Sequence, residues 1–163
     1  MMKVKNEDRA VYVVSDTEKE DNIIAEAIAI LKLRIKDVGD TFSNPKDVKK
    51  YFVLKYAEAE HEIFSVMYLD SQNRFIAHDD LFRGTLSECS VYPREVVKEA
   101  LRYNAAGIVF CHNHPSGFCE ASNADIRLTG NLKKALGLVD TRVLDHIIVG
   151  GVSTLSLAEK GLI

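Results

Sequence analysis

Apolar positions change from a helical to a strand-like period before the middle of the chain. From Asn22 to Ile35 they fall at Ile23, Ile24, Ala27, Ile28, Ile30, Leu31 and Leu33, the spacing of an amphipathic helix. Ser43-Asn44-Pro45 reads as a cap followed by proline at an early helical position, opening a second helix that runs to about Glu58. Ile63 to Leu69 is short and β-rich, Asp70-Ser71-Gln72-Asn73 is turn chemistry, and Arg74 to His78 returns as the second strand of a hairpin. Arg83-Gly84-Thr85-Leu86 is expected to begin another strand.

The second half reads in the same way. Pro93 opens a helix through Asn104, with Val96, Val97, Ala100 and Leu101 on its apolar face, and Gly107 to Cys111 is a brief apolar strand leading into His112. A loop from Asn113 to Ala121 follows, and Ser122 can cap a helix from Asn123 to about Leu138 that carries Asp125 in its first turn. Thr141 to Val149 reads as a buried strand, Gly150-Gly151 turns the chain, and a short segment closes it. This order predicts an α/β fold, a mixed β-sheet flanked by helices. Residues 1–42 are expected to be an N-terminal extension with one helix, and residues 43–163 the main domain. Within the extension, residues 1–20 are polar apart from Val11-Tyr12-Val13-Val14 and read as a weakly ordered arm.

Composition narrows the function classes. A chain of 163 residues with 47% hydrophobic content can close one sizeable core. Its 21 basic and 24 acidic residues leave a net charge of −3, against the basic surplus that unaided nucleic-acid binding needs. Cys89, Cys111 and Cys119 form an odd set without CxxC spacing, which fits a reducing, cytoplasmic setting. Neither a signal peptide nor a membrane span is expected, since Met1 to Arg9 is polar and no apolar run approaches about 20 residues.

The chemistry concentrates between Cys111 and Asp125. Two histidines one residue apart at a strand end, His112 and His114, can turn toward one ion where the backbone bends, and Asp125 brings an anionic third ligand from the next helix. Two imidazoles and a carboxylate leave a fourth tetrahedral position for water, the mark of a catalytic site. A bare His-x-His pair is equally compatible with satisfied polar strand residues. The proline-glycine loop, the capping serine and the aspartate in the first helical turn shift that balance toward a metal. Pro115 and Gly117 shape the loop. Cys111 reads as a buried small hydrophobe, and Cys119 has the same plain reading although it lies in the site loop. Asp145-His146 reads either as a pair orienting a ligand from behind or helping to hold substrate, or as an ordinary strand hydrogen bond. His61 and His78 are expected at the surface.

The pattern His112-x-His114-Pro115, with seven residues between His114 and Ser122 and two between Ser122 and Asp125, resembles the metal motif of JAMM-type metalloproteases. Its Asn-His-Pro-Ser-Gly form is similar to RadC proteins. So are Phe82-Arg83-Gly84-Thr85-Leu86, Tyr92-Pro93-Arg94-Glu95-Val96, Asn104-Ala105-Ala106-Gly107 and Leu144-Asp145-His146-Ile147-Ile148-Val149-Gly150. The resemblance covers about residues 45–160. It implies a three-layer architecture of the cytidine-deaminase-like, JAMM type, one zinc ion per chain and a hydrolytic constellation. In that constellation His112, His114 and Asp125 hold the metal, Glu62 matches the early-strand glutamate that acts as general base, and Ser122 stabilises the developing oxyanion. A solvated strand-start carboxylate and a plain helix cap are the bland alternatives for Glu62 and Ser122. The first 45 residues contain only Gly39, too few glycines for the hairpins of a helix-hairpin-helix DNA-binding module, so the chain looks like a short form of the family.

The leading expectation is therefore a zinc-dependent hydrolase of amide, peptide or isopeptide bonds, acting on a peptide or protein substrate. The alternative is a DNA-repair or DNA-metabolism factor with a metal site, associated with DNA indirectly, beside a DNA-bound partner. A deaminase would need His-x-Glu and Pro-Cys-x-x-Cys spacing, which is absent.

Overall fold

A computed structural model describes residues 17–37, 45–84 and 90–163, with the side chains of 32–37 left aside. The expectations placed on Val11 to Val14, on the Ser43-Asn44 cap and on a strand at Thr85-Leu86 lie outside the described residues.

Helix α1 spans Thr17–Asp37, beginning earlier than its apolar spacing indicated. The reason is electrostatic: Glu18 and Glu20 occupy the first turn, where negative charge complements the helix dipole, so a stretch that reads as a polar arm is helical from Thr17 onward. Helix α2, Pro45–Tyr56, buries Val48, Tyr51, Phe52 and Tyr56. The hairpin follows as β1, Ile63–Leu69, and β2, Phe75–Arg83. After α3, Pro93–Arg102, come β3, Gly107–Asn113, α4, Asn123–Gly137, β4, Arg142–Gly150, and β5, Ser153–Ser156.

The strands form one sheet in the order β2-β1-β3-β4-β5. β1 runs antiparallel to β2 and β3, β3 runs parallel to β4 with α4 as the crossover, and β5 returns antiparallel to β4. Strands β1 and β3 are almost continuously apolar because both of their faces are covered. Met67, Leu69, Val109, Cys111, Ile147 and Val149 pack with the buried residues of α2 and with Leu31 of α1. Phe64, Val66, Tyr68, Ile108 and Phe110 pack on Val96 and Ala100 of α3 and on Leu132 and Leu136 of α4. The result is the expected mixed α/β sheet between two helical layers.

Strand β2 corrects two expectations. It extends to Arg83, which pairs with Ile63, so Arg83 ends the hairpin's second strand instead of starting a third. The polar run His78-Asp79-Asp80 disguises this, but charge is tolerated on an edge strand. His78 is not a surface residue: its side chain is 3% exposed. Its Nδ1 lies 2.8 Å from the Tyr51 hydroxyl and its Nε2 lies 3.0 Å from that of Tyr56. Lys55 and Asp80 close this cluster with an ion pair of 2.7 Å. No described helix is long and apolar enough to cross a membrane.

Candidate metal centre

The loop between β3 and α4 brings the donor atoms together. β3 pairs with β4 through Asn113, and the His114 N–H continues that ladder by donating to the Val149 carbonyl at 2.8 Å. The chain then turns at Pro115 to Gly117, where Gly117 has φ +80°, a conformation that suits glycine. The returning loop lies against Gly150, where a Cβ would sit 2.7 Å from the Gly117 carbonyl oxygen and 2.8 Å from the Cys119 nitrogen. A side chain at that position would push the loop away. Ser122 caps α4 through a capping box in which the Asp125 N–H donates to the Ser122 hydroxyl oxygen at 3.1 Å. The Ser122 N–H and O–H both donate to Asp125 Oδ2, at 2.8 and 2.7 Å. Two donors on one carboxylate oxygen fix its direction.

His112, His114 and Asp125 each offer a ligand atom, and these atoms all lie within 4.8 Å of one another. The two Nε2 atoms are 2.9 Å apart, His112 Nε2 is 3.4 Å from Asp125 Oδ1, and His114 Nε2 is 3.9 Å from Asp125 Oδ2. Zinc bonds of about 2.0–2.1 Å would set tetrahedral ligand atoms about 3.3 Å apart, within the range of these separations. The proton positions favour the same reading. His114 Nδ1 lies 2.8 Å from the Phe118 carbonyl, which can only accept, so a neutral His114 carries its proton on Nδ1 and turns a bare Nε2 inward. His112 is held neutral: burial is the largest cause, outweighing the nearby Asp125 charge, and brings its pKa down to about 4. His146, behind it, is lowered well below the ordinary histidine range for the same reason. The donor set and its spacing fit a divalent cation.

Glu62 lies immediately before β1. Phe64 pairs directly with His112, and the same antiparallel register continued two residues past that pair would set residue 62 opposite His114. The segment is anchored on both sides of Glu62 by Asn113, whose Oδ1 accepts from the Ile63 N–H at 2.8 Å and whose Nδ2 donates to the His61 carbonyl at 2.9 Å. The Glu62 carbonyl also accepts from Gly84 at 2.8 Å. As the spacer of His-x-His, Asn113 carries no signal in the sequence, yet it ties the start of β1 and the residues just before it to β3.

Comparison with known proteins matches residues 42–162 to the RadC-like JAB domain. A UPF0758 protein of Vibrio cholerae is 51% identical over 150 residues, spanning 92% of this chain and 94% of the relative. A UPF0758 protein of Nitrosospira multiformis is 56% identical over 125 residues, and one of Cellvibrio japonicus is 54% identical over 124 residues. The chain belongs to the RadC family. It matches nearly the whole Vibrio relative but only 56% and 55% of the other two. Membership of RadC carries the JAB/JAMM type of fold, that of a family of metal-dependent hydrolases, and the His-His-Asp group is in place for it.

Other residues sort by strand parity. Asp145 and His146, adjacent in the RadC-like stretch, point to opposite sides of β4. His146 reaches His112, with its Nε2 2.8 Å from His112 Nδ1, whereas Asp145 accepts from the Ser156 hydroxyl at 2.6 Å and from the Ala158 N–H at 3.0 Å. The structural hydrogen bonds thus belong to Asp145, while His146 contacts His112 from behind. Cys111 is a core residue whose thiol is pushed up by burial, and Cys119 lies 3.6 Å from the Ile148 carbonyl, outside the donor group. Thr129 escaped the sequence reading altogether, because a threonine in a helix carries no signal until its neighbours are known.

Proposed function

We propose that this chain is a metal-dependent hydrolase of amide bonds, peptide or isopeptide, that uses His112, His114 and Asp125 as ligands for zinc. The observation that supports it best is the convergence of three donor atoms within 4.8 Å, with the bare Nε2 of His114 turned inward by the Phe118 carbonyl. A divalent ion held there supplies Lewis acidity, lowering the pKa of water toward about 7 and polarising a substrate carbonyl. The chain's own residues supply the rest. Glu62 takes the proton of the attacking water and passes it to the leaving nitrogen, as general base and then general acid. Ser122 holds Asp125 in register through the cap, and its hydroxyl turns from Asp125 to donate to the developing oxyanion. Asn113 keeps the Glu62 backbone at a fixed distance from β3. The acidic net charge of −3 favours a peptide or protein substrate over unaided contact with DNA.

Elemental mass spectrometry on protein purified without a metal-affinity tag tests the centre. About one zinc per chain is expected in the parent, and little in the His112→Ala/His114→Ala protein. A parent that takes up no metal even with added zinc would end the proposal. On a cleaved amide substrate, Glu62→Gln should keep the zinc and lose roughly 10²- to 10⁴-fold in turnover, the usual worth of a general base. Undiminished turnover would remove Glu62 from that role and leave the metal site standing.

A further inference from the structure

Two polar side chains stand behind the proposed ligands with no direct access to them from solvent: Thr129 and His146 are both 0% exposed. They form a chain of short contacts. His112 Nδ1 is 2.8 Å from His146 Nε2, His146 Nδ1 is 2.6 Å from the Thr129 hydroxyl oxygen, and that hydroxyl is 2.6 Å from the Asp125 backbone carbonyl. The chain thus begins at one proposed ligand and ends on the backbone of another. Phe64 and Phe110 pack edge-on to the His146 ring at 5.5 and 5.7 Å, so no other polar path crosses it on that side.

In neutral rings, one arrangement of protons satisfies all three contacts, and a second satisfies the two ring contacts but leaves no proton between the Thr129 hydroxyl oxygen and the Asp125 carbonyl. If the Thr129 hydroxyl donates to the Asp125 carbonyl, it must accept from His146 Nδ1–H. His146 Nε2 then accepts from His112 Nδ1–H, and His112 Nε2 is left bare. If the hydroxyl instead donates to His146 Nδ1, every proton along the chain sits on the opposite nitrogen. His112 then carries its proton on Nε2 and donates it to His114 Nε2, 2.9 Å away. Only the first arrangement offers His112 Nε2 as a ligand. The two differ by the rotation of one hydroxyl and by the tautomers of two rings, with the same number of protons.

We infer that Thr129, acting through His146, is a positioning residue that sets the tautomer of His112 and so decides whether its Nε2 can bind a cation. The inference rests on the metal reading of His112, His114 and Asp125 proposed above. The Asp125 carbonyl makes the threonine's choice possible, because a hydroxyl bonded back to the carbonyl one turn earlier in a helix is free to accept from the other side. Valine at 129 has nearly the same shape and no oxygen. It would leave a buried His146 Nδ1–H unsatisfied in the zinc-competent arrangement, and so penalise that arrangement.

The test reads zinc affinity and ring tautomers, not turnover. Thr129→Val should weaken zinc binding about 10- to 100-fold, the usual effect of losing a group that supports a ligand from behind, and Thr129→Ser should restore most of it. In zinc-loaded, ¹⁵N-labelled parent, the ring nitrogens of His146 should report the proton on Nδ1. Parental zinc affinity in Thr129→Val overturns the inference, and so does a His146 proton on Nε2 in the loaded parent, a measurement that needs no variant to fold. If the parent binds no zinc, the metal reading fails by itself. The metal-free protein then decides the inference: ring-nitrogen shifts of His112 that Thr129→Val leaves unchanged overturn it, and a change of tautomer upholds it.

Discussion

Burial governs the charge of His112 more than its partners do. The ring is 2% exposed, and loss of solvation lowers its pKa to about 4, although the Asp125 carboxylate pulls in the other direction. An unfolded histidine titrates near about 6.5. Between those values the unfolded chain binds more protons than the folded one, so stability is fully present above about pH 6.5 and is lost as pH falls toward 4. The shift is worth on the order of 3 kcal/mol across that window, and His146 adds in the same direction. Urea unfolding of the metal-free protein at several pH values between 7 and 4.5 should show this decline. It should shrink in His112→Ala, and an identical pH slope in parent and variant would show that His112 is not its source. The same neutrality leaves the ring able to act as a ligand in mildly acidic solution, where an exposed histidine would be protonated.

At the scale of elements, the unit that matters is the end of β3, its loop and the first turn of α4. Ser122 links them, because its hydroxyl both accepts the Asp125 N–H and donates to the Asp125 carboxylate. Removing that oxygen releases one helix-end N–H and one restraint on a proposed ligand together. Ser122→Ala should therefore cost about 1 kcal/mol of stability, as lost caps do, and should also weaken zinc binding by more than a cap alone explains. Thr at the same position should recover both. Calorimetric zinc titration alongside chemical denaturation separates the two effects. A stability loss with unchanged zinc affinity would reduce Ser122 to a cap.

For the whole molecule, the site joins two parts of one scaffold. His112 belongs to the central strand β3, which is buried on both faces, while Asp125 belongs to α4, which packs on only one of them. A cation bound by both is a cross-link between sheet and helix, and it binds the folded chain in preference to the unfolded one. Zinc at a hundredfold excess over its Kd should thus add roughly 2.7 kcal/mol, and a domain of this size should melt several degrees higher. Thermal unfolding with and without zinc reads this directly. The His112→Ala/His114→Ala protein should show no such shift, and an equal shift in both proteins would place the zinc elsewhere.

The spacing of apolar residues and the contiguity of the motif together determined much about this protein. Strands β1, β3 and β4 and helices α2, α3 and α4 follow from local period, proline and cap residues. His112, His114, Ser122 and Asp125 lie close enough in sequence that one strand end and one helical turn must bring them near each other. What lay beyond local pattern needed the sheet. The segment that carries Glu62 is tied to the strand of His112 only because β1 pairs with β3 in the register Phe64 to His112, a contact between segments about 50 residues apart. The division of labour between Asp145 and His146 depends on which face of β4 each side chain takes, and a shift of one residue would exchange them. His78 is buried because α2 lies over β2, a packing that no alternation in β2 encodes. Thr129 gains its role only when α4 is laid against β4 with His146 beneath it. Local spacing sets which groups are available, whereas register and packing decide which of them meet, since pairing energy accumulates along whole strands and faces and not within any single motif.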